Sequence, residues 1–181
     1  MSCLNYWESK HMENIPQLKE IISKLDLTPH PEGGFFKETY RSEGFIKRDS
    51  LSEVYSGERN YSTCIYFVIT SESFSAWHKI HQEEFWHFYL GSSITIHLIS
   101  PEGEYSTVVL GNDIVNGEVP QYVVKGEWWF AVTVNKEKNY ALTGCTVAPG
   151  FDFDDFILPS RKELIDIFPH LSKEITQLTR L

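Results

Sequence analysis

The chain opens on a helical pattern and then changes period. Ile15, Leu18, Ile21, Ile22 and Leu25 recur at spacings of three and four, which predicts an amphipathic helix over residues 15–26. Asn14 is a candidate N-cap, and Pro16 suits a first turn, where its missing N–H is not needed. From Phe35 to about Ala148 the pattern becomes that of short strands. They are predicted near 35–41, 61–70, 73–79, 85–90, 93–100, 105–110, 119–125, 128–134 and 140–148. Ile94, Ile96 and Leu98 alternate with Thr95, His97 and Ile99, the period of two of a half-buried strand. Turn signals separate the strands at Gly91-Ser92, Pro101-Glu-Gly103, Gly111-Asn-Asp113, Asn116-Gly117 and Pro149-Gly150. Strands at such regular spacing predict a mainly β sandwich or small barrel.

Helix then returns. Ser160 and Glu163 form a capping box ahead of Leu164, Ile167 and Phe168, and Pro169 breaks the run. A last amphipathic turn carries Leu171, Ile175 and Leu178. With no repeat and no linker, residues 1–181 read as a single domain. Its barrel covers approximately 35–158, between flanking helices over 15–26 and 160–181.

Composition narrows the function classes. The 181 residues carry a net charge of −9, so phosphate backbones and anionic membranes are poor partners. Neither nucleic acid nor membrane is expected. Cys3, Cys64 and Cys145 lie far apart and include no Cys-x-x-Cys pair, which suits a reducing compartment. Met1 to Gln17 has no apolar signal region, and no window approaches the ~20 apolar residues of a spanning helix, so the expected location is cytoplasmic. Aromatic residues make up 14% of the chain; rings of this kind line cavities, and they also fill cores.

The stretch from Phe74 to Gly91 carries the most chemistry. It sets His78, His81 and Glu84 three residues apart, and imidazole with carboxylate suits Zn, Fe, Mn or Ni. In an extended strand His78 and Glu84 share a face while His81 and His87 point away, unless the segment turns between them. Two ligands fall short of the three or four that a firm site needs.

His78, Glu84 and Gly91 also fall on a known pattern, Gly-x5-His-x-His-x3,4-Glu-x6-Gly, the first motif of the cupins. Ile80 stands where that motif has its second His, and its leading Gly is missing. In the second motif Gly126 keeps its place, while Val124, Trp129 and Thr133 stand at the Pro, His and Asn positions. Blocks from Leu27 to Ser42, Thr63 to Phe67, Glu84 to Phe88 and Leu142 to Phe156 resemble one cupin branch of uncharacterised function. The resemblance implies a double-stranded β-helix, or jelly-roll barrel, usually dimeric, with a cavity at the barrel mouth. It also implies kinship with sugar-nucleotide epimerases, germin-like proteins and seed-storage proteins, a range that leaves function open.

Candidate site residues follow. His78 and Glu84 are the candidate catalytic pair and the candidate ligands of a divalent metal, as an incomplete set. Glu38, Tyr40, Tyr66, Trp86, Trp128 and Asp152 are candidate ligand-binding residues. Glu38 and Arg41, three apart, are expected on opposite sides of their strand, with Phe36 and Tyr40 sharing the face of Glu38. Pro31-Glu-Gly-Gly34 reads equally as a ligand-contacting loop or a tight turn, and Cys145 as a buried structural thiol.

Three functions fit these residues. The first is a small-molecule binding protein, homodimeric by resemblance, whose ligand is sugar-derived by analogy with the barrel's relatives. The second is an enzyme, either an epimerase or isomerase with His78 as general base or a metal-dependent oxygenase. The third is a structural module with a filled barrel.

Overall fold

Two antiparallel sheets face one another and enclose the main core. The computed structural model describes residues 15–137 and 139–180; the proposed cap Asn14 and Cys3 lie outside them. The strands are β1 (Thr28–Pro29), β2 (Phe35–Arg41), β3 (Phe45–Ile46), β4 (Arg59–Asn60), β5 (Thr63–Thr70), β6 (Ser75–His78), β7 (Glu83–Gly91), β8 (Ile94–Ile99), β9 (Tyr105–Leu110), β10 (Gln121–Val124), β11 (Trp129–Val134) and β12 (Tyr140–Ala148). The helices are α1 (Pro16–Leu25), α2 (Arg161–Ile167) and α3 (Ser172–Gln177). The six-stranded sheet runs β1-β2-β5-β12-β7-β10 and the four-stranded sheet β6-β11-β8-β9, with β3 and β4 as a separate pair. This is the mainly β, jelly-roll type of architecture that the sequence predicts. The three two-residue strands escaped prediction because two residues carry no period. Among the described residues no helix is long and apolar enough to cross a membrane.

The alternation becomes packing. Ile94, Ile96 and Leu98 of β8 and Phe130 and Val132 of β11 meet Phe67 and Ile69 of β5 and Trp86 of β7 between the sheets. Ile99, Trp129 and Ala131 face the other way, against Leu164, Phe168, Ile175 and Leu178 of the C-terminal helical segment. Helix α1 covers the outside of the larger sheet, where Leu18 packs with Val68, Tyr140 and Leu142. Each helix therefore hides apolar side chains that a strand turns outward. The Ser160 capping box is formed as predicted, Ser160 accepting from the Glu163 N–H and Glu163 from the Ser160 N–H.

The loop between β1 and β2 is held from far along the chain. The Ala76 N–H donates to the Glu32 carbonyl at 2.9 Å, and Arg180 donates to that same carbonyl and, at 2.9 Å, to the carbonyl of Phe74. Gly34 sits in the left-handed region at φ +74, where a Cβ would lie 2.6 Å from the Val68 carbonyl oxygen. Gly34→Ala is therefore expected to cost more than about 1 kcal/mol in urea unfolding. An unchanged midpoint would show that the loop can move off β5.

Candidate functional site

A cavity of about 80 Å³ lies at one end of the space between the sheets. Its apolar wall comes mainly from Phe36, Ile65, Phe67, Ile80, Trp86 and Val147. Phe151, Phe153 and Phe156, from the segment after β12, form its rim. Into this apolar lining project His30, Glu32, His78, Glu84 and Cys145, with Glu38 and Arg41 at the half-exposed mouth.

His78 and Glu84 reach the cavity from different sheets. His78 ends β6 and Glu84 is the second residue of β7, with a turn between them. They converge because the chain turns from one sheet to the other, and shared parity on one strand plays no part. His81, in that turn, points away and contacts the Glu127 carboxylate.

Hydrogen-bond partners assign the protons around His78. Its Nδ1 lies 2.7 Å from the Ala76 carbonyl oxygen, which can only accept, so Nδ1 carries hydrogen. Burial holds His78 down at about 3, so the ring is neutral and Nε2 presents a lone pair. Glu32 Oε2 lies 3.1 Å from that Nε2. Burial first, and then the neighbouring Glu84, push the Glu32 carboxyl well above its usual range. Glu32 is thus a neutral acid donating to His78, while its Oε1 accepts from the Ser75 hydroxyl at 2.9 Å. His30, whose Nδ1 is 3.4 Å from Glu32 Oε2, is held down at about 4 by burial.

Glu84 is the other buried acid. Burial raises it to about 7, and the Cys145 thiol beside it offsets this only in part. Among the described residues it has no salt-bridge partner. In the same wall Trp86, only 1% exposed, leaves its indole Nε1–H without a partner. A buried donor left unmade costs about 1–3 kcal/mol.

The mouth corrects a parity expectation. A register shift between Glu38 and Tyr40 bulges β2, so Glu38 and Arg41 lie on the same side and both line the cavity. Arg41 grips Glu38 through two hydrogen bonds of 3.0 and 2.8 Å. The same bulge turns Tyr40 outward, where it is 54% exposed instead of sharing a wall with Phe36.

Beneath the rim, Asp155 accepts two hydrogen bonds from Arg59, at 2.7 and 2.6 Å, and one from the Gln82 amide at 2.6 Å. Arg59 and Asp155 side chains are only 4% and 1% exposed. This buried triad ties the Phe153–Asp155 turn to β4 and to the loop before β7.

The family model for the Cupin superfamily (DUF985) matches residues 19–159, which span both sheets and every cavity residue. The chain belongs to the cupin superfamily. It is 35% identical to the uncharacterised protein YML079W of Saccharomyces cerevisiae over 147 residues, covering 76% of this chain and 73% of that protein. Among solved structures it resembles protein SO0799 from Shewanella oneidensis, with a TM-score of 0.80 and 36% identity over 90% of this chain and 96% of that one. A hypothetical protein from Leishmania major gives a TM-score of 0.81 and 30% identity, covering 90% and 98%.

Against the cupin motifs, the donor set does not fit a metal centre. Ile80, at the second His position, is an apolar part of the cavity wall, and Trp129, at the second-motif His position, packs outward against the helices. His78 turns its free nitrogen to Glu32. Among the described residues no group of three or more His, Cys, Asp or Glu is arranged to hold an ion.

Of the sequence-predicted residues, the cupin cavity brings together His78, Glu84, Glu38 and Trp86. Tyr40, Tyr66, Trp128 and Asp152 are not in its wall. Tyr66 faces the outside of the sheet, 6.1 Å from the Tyr89 ring. Trp128 packs on the main core beneath the Lys125 ammonium. Asp152 caps the rim turn by accepting from the Asp154 N–H at 2.9 Å. Sequence reasoning missed His30, Glu32, Arg41 and the three rim phenylalanines. The signal for Glu32 lay in Pro31-Glu-Gly-Gly34, where the glycines drew attention away from the acid beside them. Cys145, read as structural, lies against Glu84 in the wall.

Proposed function

We propose that this cupin is a small-molecule binding protein whose ligand occupies the cavity between the sheets. The observation that carries this reading is an open cavity whose aromatic wall holds Glu84, a buried carboxyl without a salt-bridge partner among the described residues. Buried charged groups are normally paired within the protein, and one facing an apolar enclosure is the making of a ligand site. A compact molecule bearing hydroxyl groups, as a sugar-derived ligand does, supplies a donor for Glu84. The open volume argues against a filled structural barrel.

Chemistry with His78 as general base gains no support, because both its ring nitrogens are already engaged, with Ala76 and Glu32. The test is a thermal-shift screen of sugars, polyols, amines and small acids against the purified chain. At least one compound is expected to raise the melting temperature, and Glu84→Gln to weaken its binding about tenfold or more by removing one charge-assisted hydrogen bond. A screen without a hit, or a hit indifferent to Glu84→Gln, would overturn the reading.

A further inference from the structure

The charges around the cavity select the kind of ligand; this rests on the small-molecule reading above. The lining holds three carboxyl groups, Glu32, Glu38 and Glu84, and one guanidinium, Arg41. Arg41 is committed to Glu38 by two hydrogen bonds and also donates to Asn60 and to the Phe151 carbonyl. Arg180, the nearest other cation to Glu32, turns its nitrogens to the backbone carbonyls of Glu32 and Phe74. His30 and His78 are neutral. Glu32 donates to His78, and Glu84 therefore lacks a cation of the protein's own.

The surroundings of this acid favour positive charge in a second way. Phe36, Phe67, Trp86, Phe151, Phe153 and Phe156 line the same space. An aromatic face attracts a cation by about 0.5–2 kcal/mol, more as water is excluded.

We propose that the cavity binds a small organic ammonium ion, its ammonium on Glu84. Such a guest supplies the missing counter-charge and lays its C–H and N–H groups on the aromatic wall. An anionic guest would meet Glu84 with only an already engaged guanidinium to offset it. A neutral polyol would leave Glu84 without a counter-ion.

The experiment uses two matched triads on the full chain at pH 7.5, by isothermal titration: 2-aminoethanol, ethane-1,2-diol and glycolate; glucosamine, glucose and glucuronate. The ammonium member of at least one triad is expected to bind at least tenfold more tightly than both its partners. Glu84→Gln should remove that advantage. Circular dichroism confirms that the variant folds, and Glu84→Asp, which restores the charge, should recover part of the preference. A neutral or anionic member binding as tightly as its ammonium partner overturns the charge assignment and leaves the small-molecule reading standing. Silence from both triads overturns the charge assignment as well, and the broader screen then decides the earlier reading by itself.

Discussion

Asp155→Ala is expected to destabilise the protein by about 3–5 kcal/mol, read as a fall in the urea midpoint at unchanged slope. The two side chains of the Arg59–Asp155 pair are almost fully removed from water and joined by two short hydrogen bonds. Removing the carboxylate strands a buried guanidinium, and it also deprives the Gln82 amide of its 2.6 Å acceptor. That amide's own oxygen already lacks a partner, so the site has little capacity to adapt. The phenylalanine rim should loosen along with the turn, weakening any cavity ligand beyond the loss of global stability. The double variant Arg59→Met, Asp155→Leu, which removes both charges, should recover much of the loss, since apolar replacement of a buried pair is often neutral or better. A single-variant loss below about 1 kcal/mol would show that water reaches the pair.

Glu84→Gln should become steadily more stabilising, relative to wild type, as pH rises from 4.5 to 7. Burial lifts Glu84 from the usual 4.5 to about 7, so over that interval the folded chain keeps a proton that the unfolded chain has released. Its contribution is intact below 4.5 and is lost as pH rises through 7, which amounts to about 3 kcal/mol at most. Glutamine has no such loss. Glu32, also raised by burial, acts in the same direction. His30 and His78 act oppositely: held at about 4 and about 3, they withhold protons that the unfolded chain binds below 6.5, so their contribution grows as pH rises towards 6.5. The opposing pairs leave the wild-type profile shallow between 4.5 and 6.5. The informative quantity is the difference between variant and wild type, from urea curves at several pH values. A difference independent of pH would mean that Glu84 is ionised in the folded chain at pH 5.

Much of the fold was legible because buried strands and amphipathic helices write their periods into the chain. Ile94, Ile96 and Leu98 point into the core as their alternation requires, and Ser160 and Glu163 close the capping box that their spacing announces. The site was harder to read for two physical reasons. Parity fails wherever a strand bulges, and no glycine or proline marks the bulge that brings Arg41 beside Glu38 and sends Tyr40 out. Contacts made across the fold leave no local trace, and Glu32 meets Ser75 and His78 more than forty residues downstream. His78 and Glu84 do meet in the cavity, but through a turn between sheets that the six-residue spacing does not reveal.

The place of β12 bears on how the chain is made. It fills the middle of the larger sheet, between β5 and β7, yet it begins at Tyr140, long after β5 has ended at Thr70 and β7 at Gly91. During synthesis both neighbours leave the ribosome with an open edge, β5 carrying Ile65, Phe67 and Ile69 and β7 carrying Phe85, Trp86 and Phe88. Unpaired apolar edges of this kind recruit other strands, so the nascent chain is most prone to aggregate in the interval before residue 148 emerges. Ribosomes stalled or slowed between residues 91 and 140 would prolong that exposure, giving the stretch of message that encodes this segment a bearing on yield that no contact in the finished fold records.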